Sequence, residues 1–273
     1  MNARSTVTVG GDGSRASLDA VEWASAYARL WEASLRIVTV GASGPARRGP
    51  VSDSRRQISR EEFQTNQRLR RRAEAAFSRA VGAVPEDRIE MRVVAGDPVD
   101  ALLAAAEGGP LVVGTRRLGF LSGTIAGSVS RRLIGRSPGP VAVVSGAASQ
   151  GRGRVVAGVD GGPSTGAVVS YALEEARIRG AELLLFRAIG DSSPNERSGT
   201  AAVEEAKGSG RDVRVREEER RGDPVDLLVE RSAEADLIVV GTRSLGLTAG
   251  LLRGSVGQRL TVRARCPVVV IPG

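Results

Sequence analysis

The chain has no histidine, one cysteine, two methionines and only 3% aromatic residues. Losing histidine removes the commonest general base and the commonest metal ligand together. Neither a Ser/His/Asp nor a Cys/His catalytic centre can be assembled. Cys266 alone excludes an internal disulfide and cannot build a zinc site, so a small buried thiol is expected. No run approaches the ~18 apolar residues that cross a bilayer. Met1 to Gly10 carries neither an apolar targeting core nor a cleavage site, so the expectation is a cytoplasmic protein without a membrane partner. Two nucleotide signatures are also missing. Lys207, the only lysine, is followed by Gly208 and Ser209 but lacks the glycine frame of a phosphate loop, and no strand leads into G-x-G-x-x-G.

What is present begins with length. At 273 residues the chain has room for two domains of the usual ~150 residues. A 41% hydrophobic content with 35 glycines and few aromatics means that Val, Leu and Ala must supply the cores. The net charge is +8, and residues 41 to 80 carry most of it, with ten arginines against Asp53, Glu61, Glu62 and Glu74. This Arg-rich segment reads first as a solvated surface and second as an anion-binding face. Such local crowding makes nucleic acid an unlikely partner.

Internal repetition is direct. The string GDPVD occurs at 96 to 100 and at 222 to 226, and VVGTR at 112 to 116 and 239 to 243. Gly-Ser-Val follows at 127 to 129 and 254 to 256. Asp12 matches Asp160 at an offset of 148, whereas Gly96 matches Gly222 at 126. The first copy therefore holds about 22 extra residues after Val40. Ser145 to Arg154, small and polar, reads as the linker, which sets the expected domains at 1 to 146 and 153 to 273.

Periodicity alternates between strand and helix in each copy. Strands are expected at Thr6 to Val9, Leu35 to Val40, Ile89 to Val93, Leu111 to Val113 and Val141 to Val144. The second copy repeats them at Val155 to Val159, Leu183 to Phe186, Val213 to Val215, Leu237 to Val240 and Val268 to Ile271. Helices fall between them, one carrying Ala20, Trp23, Ala24, Tyr27 and Trp31, another opened by Asp97 as N-cap and Pro98. The expected fold is α/β: two tandem doubly wound domains, each a mainly parallel five-stranded sheet of order 3-2-1-4-5 flanked by helices. The third strand, the most polar, belongs at the edge.

In such sheets ligands sit at the carboxyl ends of the strands where the order reverses, between strands 1 and 4. There the sequence places Gly10, Gly11, Asp12, Gly13 and Ser14, then Gly114, Thr115 and Arg116, and beyond a long loop Gly127 and Ser128. The second copy offers Asp160, Gly241, Thr242, Arg243, Gly254 and Ser255. Free N–H groups at the helix start favour a phosphate. The same glycines also serve simply to make turns, and the same serines to cap helices.

These motifs resemble those of universal stress protein domains, over nearly the whole chain. ATP-binding members of that family carry G-2x-G-9x-G-[ST]. The first copy reads Gly114, Arg117, Gly127, Ser128 at that spacing, and the second Gly241, Ser244, Gly254, Ser255. Each keeps the first and third glycines and the hydroxyl, and each departs at the second glycine. The resemblance further implies that Asp12 and Asp160 face the nucleoside, and that Val40 meets adenine through its backbone. Ser14 follows the family's Asp-x-Ser pattern, where the second copy has Gly162. It also implies that the last strands, Val141 to Val144 and Val268 to Ile271, meet across a two-fold.

The leading expectation is a non-enzymatic stress-response regulator that binds an adenine nucleotide, ATP with Mg2+, in one or both clefts, and that acts on a protein partner. Alternatives are a family member that has lost nucleotide binding and serves as an interaction scaffold, a weak hydrolase using Asp12 or Asp160, and an arginine-driven nucleic-acid binder.

Overall fold

Ten strands pair edge to edge in one continuous sheet in a computed structural model of the chain. The model describes residues 6–41, 60–115, 128–146, 151–189, 208, 212–242 and 256–273. The first copy contributes β1 (Thr6–Gly10), α1 (Arg15–Leu30), β2 (Ser34–Gly41), α2 (Arg60–Ala80), β3 (Ile89–Ala95), α3 (Pro98–Ala106), β4 (Leu111–Gly114), α4 (Ser128–Ile134) and β5 (Val141–Val144). The second contributes β6 (Arg154–Gly158), α5 (Thr165–Arg179), β7 (Glu182–Ile189), β8 (Val215–Arg221), α6 (Pro224–Arg231), β9 (Leu237–Gly241), α7 (Val256–Arg263) and β10 (Val268–Ile271).

The sheet order is β3-β2-β1-β4-β5-β10-β9-β6-β7-β8. Each half is therefore the expected 3-2-1-4-5, the second running in reverse. Pairing inside each half is parallel, and the registers repeat: Val9 faces Val112 as Ala157 faces Val239. The halves join antiparallel through β5 and β10, where Ala142 faces Val269 and Val143 faces Val268. β4 and β9 register identically against these strands, which makes Ala142 and Val269 equivalent residues. A pseudo-two-fold axis thus passes through that pair. Four strongly apolar residues on each side, all buried, close an edge that would otherwise be an adhesive one.

The polar strands β3 and β8 take the outer edges. Both show the same alternation of half-buried and exposed residues. One expected strand began too early: Val213 is buried but lies before β8, which starts at Val215. Another was too short, since β7 runs on to Ile189.

An apolar layer covers each face of the sheet. On one side Val7, Val9, Leu35 and Ile37 pack with α1, and Val155, Leu183 and Leu185 continue the layer under α5. The opposite side joins Val38, Leu102 and Leu133 to Phe186, Ile238 and Leu260. Burying each such side chain contributes about 1.5–3 kcal/mol. Cys266 belongs to this second layer and is 1% exposed. No helix among the described residues is long and apolar enough to cross a membrane.

Asp97 and Asp223 open α3 and α6 by accepting two backbone N–H bonds each, from Val99 and Asp100 and from Val225 and Asp226. Pro98 and Pro224 occupy the first helical turn, where the missing N–H costs nothing. Arg132 of α4 also forks onto Asp97 at 2.9 and 3.2 Å. The GDPVD repeat is thus a helix-capping device rather than a ligand motif.

Candidate functional site

The strand order reverses between β1 and β4 and again between β6 and β9, which are parallel neighbours, so their carboxyl ends lie side by side. In the first copy Asp12 accepts from the Ser14 N–H at 2.8 Å. Ser14, extended at ψ 158°, is the N-cap of α1. Its hydroxyl accepts from the Ser17 N–H at 3.2 Å, and the Ser17 hydroxyl donates back to the Ser14 carbonyl at 3.0 Å. Burial pushes the Asp12 carboxyl up. The Ser14 hydroxyl and N–H, the Ser17 hydroxyl and the charge of Arg72 outweigh it and hold the group below its ordinary value. Asp12 is therefore an ionised acceptor at neutral pH.

Gly114 ends β4 beneath the same helix start. A Cβ there would overlap the Ala16 carbonyl. The absent side chain lets α1 sit directly on the strand end. Val40, half-buried near the end of β2, packs against the α3 side of the sheet. Ser128 is exposed as the first residue of α4.

The second copy repeats the turn with different chemistry. Asp160 accepts from the Gly162 N–H at 2.9 Å, as Asp12 does from Ser14. Ser164, the residue before α5, is αR (φ −79°, ψ −7°) and makes no side-chain cap, so the start of α5 lacks the hydroxyl cap that α1 has. The Ser164 side chain presses on Gly241, where a Cβ would overlap its hydroxyl. A small, open cleft lies here. Asp160, Thr165 and Gly241 stand at its polar end, over an apolar floor of Phe186, Leu228 and Val240. That mixture of a carboxylate with an apolar surface suits a ligand with a flat apolar part and hydroxyls for a carboxylate.

Asp12 and Gly114 meet across the α1 start, and Asp160 and Gly241 share one cleft. Val40 has Ala188 as its counterpart at offset 148, and Ala188 lines the second cleft. Arg116, Arg117, Gly127, Arg243, Ser244, Gly254 and Ser255 lie outside the described residues. Sequence reasoning missed Phe186, Ser164, Thr165 and Arg72. The first three were within reach: the offset of 148 sets them against Val38, Ala16 and Ser17, beside residues already chosen. Arg72 carried no such signal, since only the packing of α2 brings it to Asp12.

Among the described residues no three acidic or thiol side chains gather as a metal cage.

The model of the Universal stress protein family matches residues 4–145 and 192–272. A universal stress protein of Mycolicibacterium smegmatis is 31% identical, the alignment covering 97% of this chain and 96% of that one. One from Mycobacterium tuberculosis is 30% identical over the same shares. The crystal structure of a universal stress protein from Archaeoglobus fulgidus superposes with a TM-score of 0.74 over 100% of this chain and 99% of its own, at 19% identity. It has the same fold.

Proposed function

The chain belongs to the universal stress protein family, and from that premise we propose that it is a non-enzymatic stress-response regulator that binds an adenine nucleotide at the strand-reversal crevices. The observation that carries the reading is the cleft of the second copy, where Asp160 and Gly241 stand over Phe186, Leu228 and Val240. The base takes the apolar floor, Asp160 accepts from the sugar hydroxyls, and the phosphates run toward Gly254 and Ser255 ahead of α7. In the first cleft Asp12 and Val40 take the nucleoside end, and Gly127 and Ser128 ahead of α4 take the phosphates. ATP with Mg2+ is the proposed form.

The side chains available support a binding role. Asp12 spends one oxygen on its own turn, and the chain has no histidine to move a proton. A carboxylate so engaged orients a ligand better than it activates water.

Two measurements test this. Protein isolated gently is extracted and the extract separated by chromatography; an adenine nucleotide is expected. Calorimetric titration with ATP and Mg2+, AMP and cAMP then gives affinities, and Asp160→Ala should weaken one site by roughly tenfold, the scale of a lost charged hydrogen bond. No nucleotide in the extract and no heat in any titration would replace this reading with the scaffold one, which Arg117 and Ser244 favour by standing where ATP-binding relatives have glycine.

A further inference from the structure

All the tryptophan and tyrosine of the chain, two residues of each, stands in one place. Trp23, Tyr27 and Trp31 follow at four-residue intervals along one face of α1 and its C-cap, and Tyr171 faces them from α5. The Trp23 and Tyr27 rings are stacked, with centroids 5.0 Å and planes 18° apart, and the Trp31 centroid lies 6.1 Å from that of Tyr27. Trp23 and Tyr27 are buried and Trp31 is half-buried, so the ladder leads from the surface inward.

The inner phenol has a proton acceptor. Tyr27 donates to Glu175 Oε1 at 2.8 Å, and Glu175 is fully buried. A phenol has one proton, so the 2.9 Å bond between the two tyrosine hydroxyls is donated by Tyr171. Glu175 pairs through its other oxygen with Arg179 at 3.2 Å, and the same guanidinium stands 5.9 Å over the Trp23 ring and 6.0 Å over Tyr27. Taking a carboxylate out of water is costly, and apolar residues of similar size would pack this interface at least as well.

We propose that this cluster is a one-electron sink, in which Trp31 passes an oxidising equivalent from a surface radical inward to Tyr27 and Glu175 takes the phenol proton. It uses neither cleft and does not depend on the nucleotide reading. The oxidant is an oxygen-centred radical of the peroxyl class. It takes one electron from the Trp31 indole and leaves as its anion, and the indole becomes a radical cation. Tyr27 returns an electron to that indole while its hydroxyl proton moves along the hydrogen bond to Glu175 Oε1. The products are a neutral Tyr27 phenoxyl, a neutral Glu175 carboxylic acid and an intact Trp31. Indoles and phenols are the most readily oxidised rings in proteins. Oxidation makes a phenol strongly acidic, so the electron leaves most easily where a base stands within hydrogen-bond reach. The charge of Arg179 disfavours a second cation on Trp23, and the equivalent rests on Tyr27 as a neutral radical. Tyr171 still donates to its oxygen, and burial keeps dissolved reagents from it.

The test oxidises the full chain by flash photolysis of a ruthenium polypyridyl with persulfate. Radicals are followed by transient absorption and by electron paramagnetic resonance of rapidly frozen samples. An indole signal giving way to a phenoxyl signal is expected, and deuterated tyrosine should narrow the second. Tyr27→Phe should lose the phenoxyl and leave the indole radical standing. Glu175→Gln keeps both tyrosines and a hydrogen-bond acceptor but cannot take a proton, so its indole radical should outlive that of wild type and its phenoxyl yield should fall. Trp31→Phe lies at the rim, outside the buried bond, and should lower the yield with the melting temperature little changed, which decides the matter even where a core variant fails to fold. Four results overturn the proposal: a wild type that forms no phenoxyl, a Tyr27→Phe signal as strong as that of wild type, a Glu175→Gln time course identical to it, or an unchanged yield in Trp31→Phe.

Discussion

The Tyr27 hydroxyl donates to Glu175 Oε1 at 2.8 Å, and the two residues hold the same place in the two copies, 148 positions apart. The same offset relates Trp23 to Tyr171 and Trp31 to Arg179. Where α1 and α5 meet across the pseudo-two-fold axis, one copy thus contributes an aromatic ladder and the other a phenol, a carboxylate and a guanidinium. Tyr27 and Tyr171 join hydroxyls at 2.9 Å. Arg179 lies 5.9 Å over the Trp23 ring and 6.0 Å over Tyr27, and reaches Glu175 at 3.2 Å. Pairing like with like would bring two Glu175 carboxylates together out of water. The copies have diverged so that each half fits the other better than itself.

A stability prediction follows from that pair. Glu175 is fully buried, so Tyr27→Phe removes one donor from a carboxylate that cannot turn to water. The expected cost is about 1–3 kcal/mol. Glu175→Gln should cost a similar amount by stranding Arg179. A double-mutant cycle in urea unfolding should give a coupling above about 0.5 kcal/mol. Strict additivity would mean that the bond adds nothing to the union of the halves.

Assembly is the second prediction. Pairing of β5 with β10 uses the apolar edges of both halves within the chain, and the outer edges fall to β3 and β8. These display Glu90 and Arg92, and Glu217, Glu219 and Arg220. Charged edges resist further strand addition. Light scattering across a hundredfold range of concentration should return the mass of one chain, 28.4 kDa, or weak dimerisation at the top of the range. A concentration-independent tetramer would contradict it.

Much of this architecture was legible in the sequence because repetition gave each half a control. The strand order followed from the polarity of Ile89 to Val93 and of the second copy's charged strand. The join between Val141–Val144 and Val268–Ile271 came from family resemblance and from four apolar residues that needed cover. The asymmetry of Tyr27 and Glu175 was not legible. Helical spacing marks Tyr27 as buried, but only the packed pair of helices shows what it faces. Gly114 was read as the first glycine of a nucleotide motif, and in the structure the Ala16 carbonyl also closes on it. A glycine needed for helix packing and one needed for a ligand look alike in sequence.

Acid stability should depend on the helix caps. The Arg132 fork, aided by the Asp100 and Val99 N–H groups, holds the Asp97 carboxyl below its ordinary value. The Asp226 N–H leads the same effect at Asp223, with the Val225 N–H and Arg259 assisting. Both folded values are depressed, so each group's contribution is complete above the unfolded value of about 3.9 and is lost as pH falls through the folded one. Unfolding free energy should be level from pH 7 to about 5 and drop below about 4. Asparagine caps a helix as well as aspartate but does not titrate, so Asp97→Asn with Asp223→Asn should flatten the acid limb. An unchanged slope would place the acid sensitivity elsewhere.

Gly114 and Gly241 occupy equivalent positions, yet alanine should act differently at each. At Gly114 the added methyl meets the Ala16 carbonyl and the Ser17 N–H, which are backbone of the first turn of α1 and cannot move without lifting the helix from β4. At Gly241 it meets the Ser164 hydroxyl, which can rotate, and the Ser164 Cβ at 2.9 Å, a side-chain rather than a backbone contact. Gly114→Ala is therefore expected to cost more than about 2 kcal/mol, in the range of overpacking, and Gly241→Ala about 1 kcal/mol. The second substitution also fills the polar end of the cleft that holds Asp160. It should weaken ligand binding at the second site more than it weakens the fold. Replacing the obstructing side chain supplies the control: Ser164→Gly, added to Gly241→Ala, removes the collision and should restore most of the lost stability, while binding stays reduced because the methyl remains. Thermal melting and calorimetry on the single and double variants separate the two effects. If Ser164→Gly does not restore stability, the strand end has shifted, and Gly241 is held by something other than the Ser164 contact.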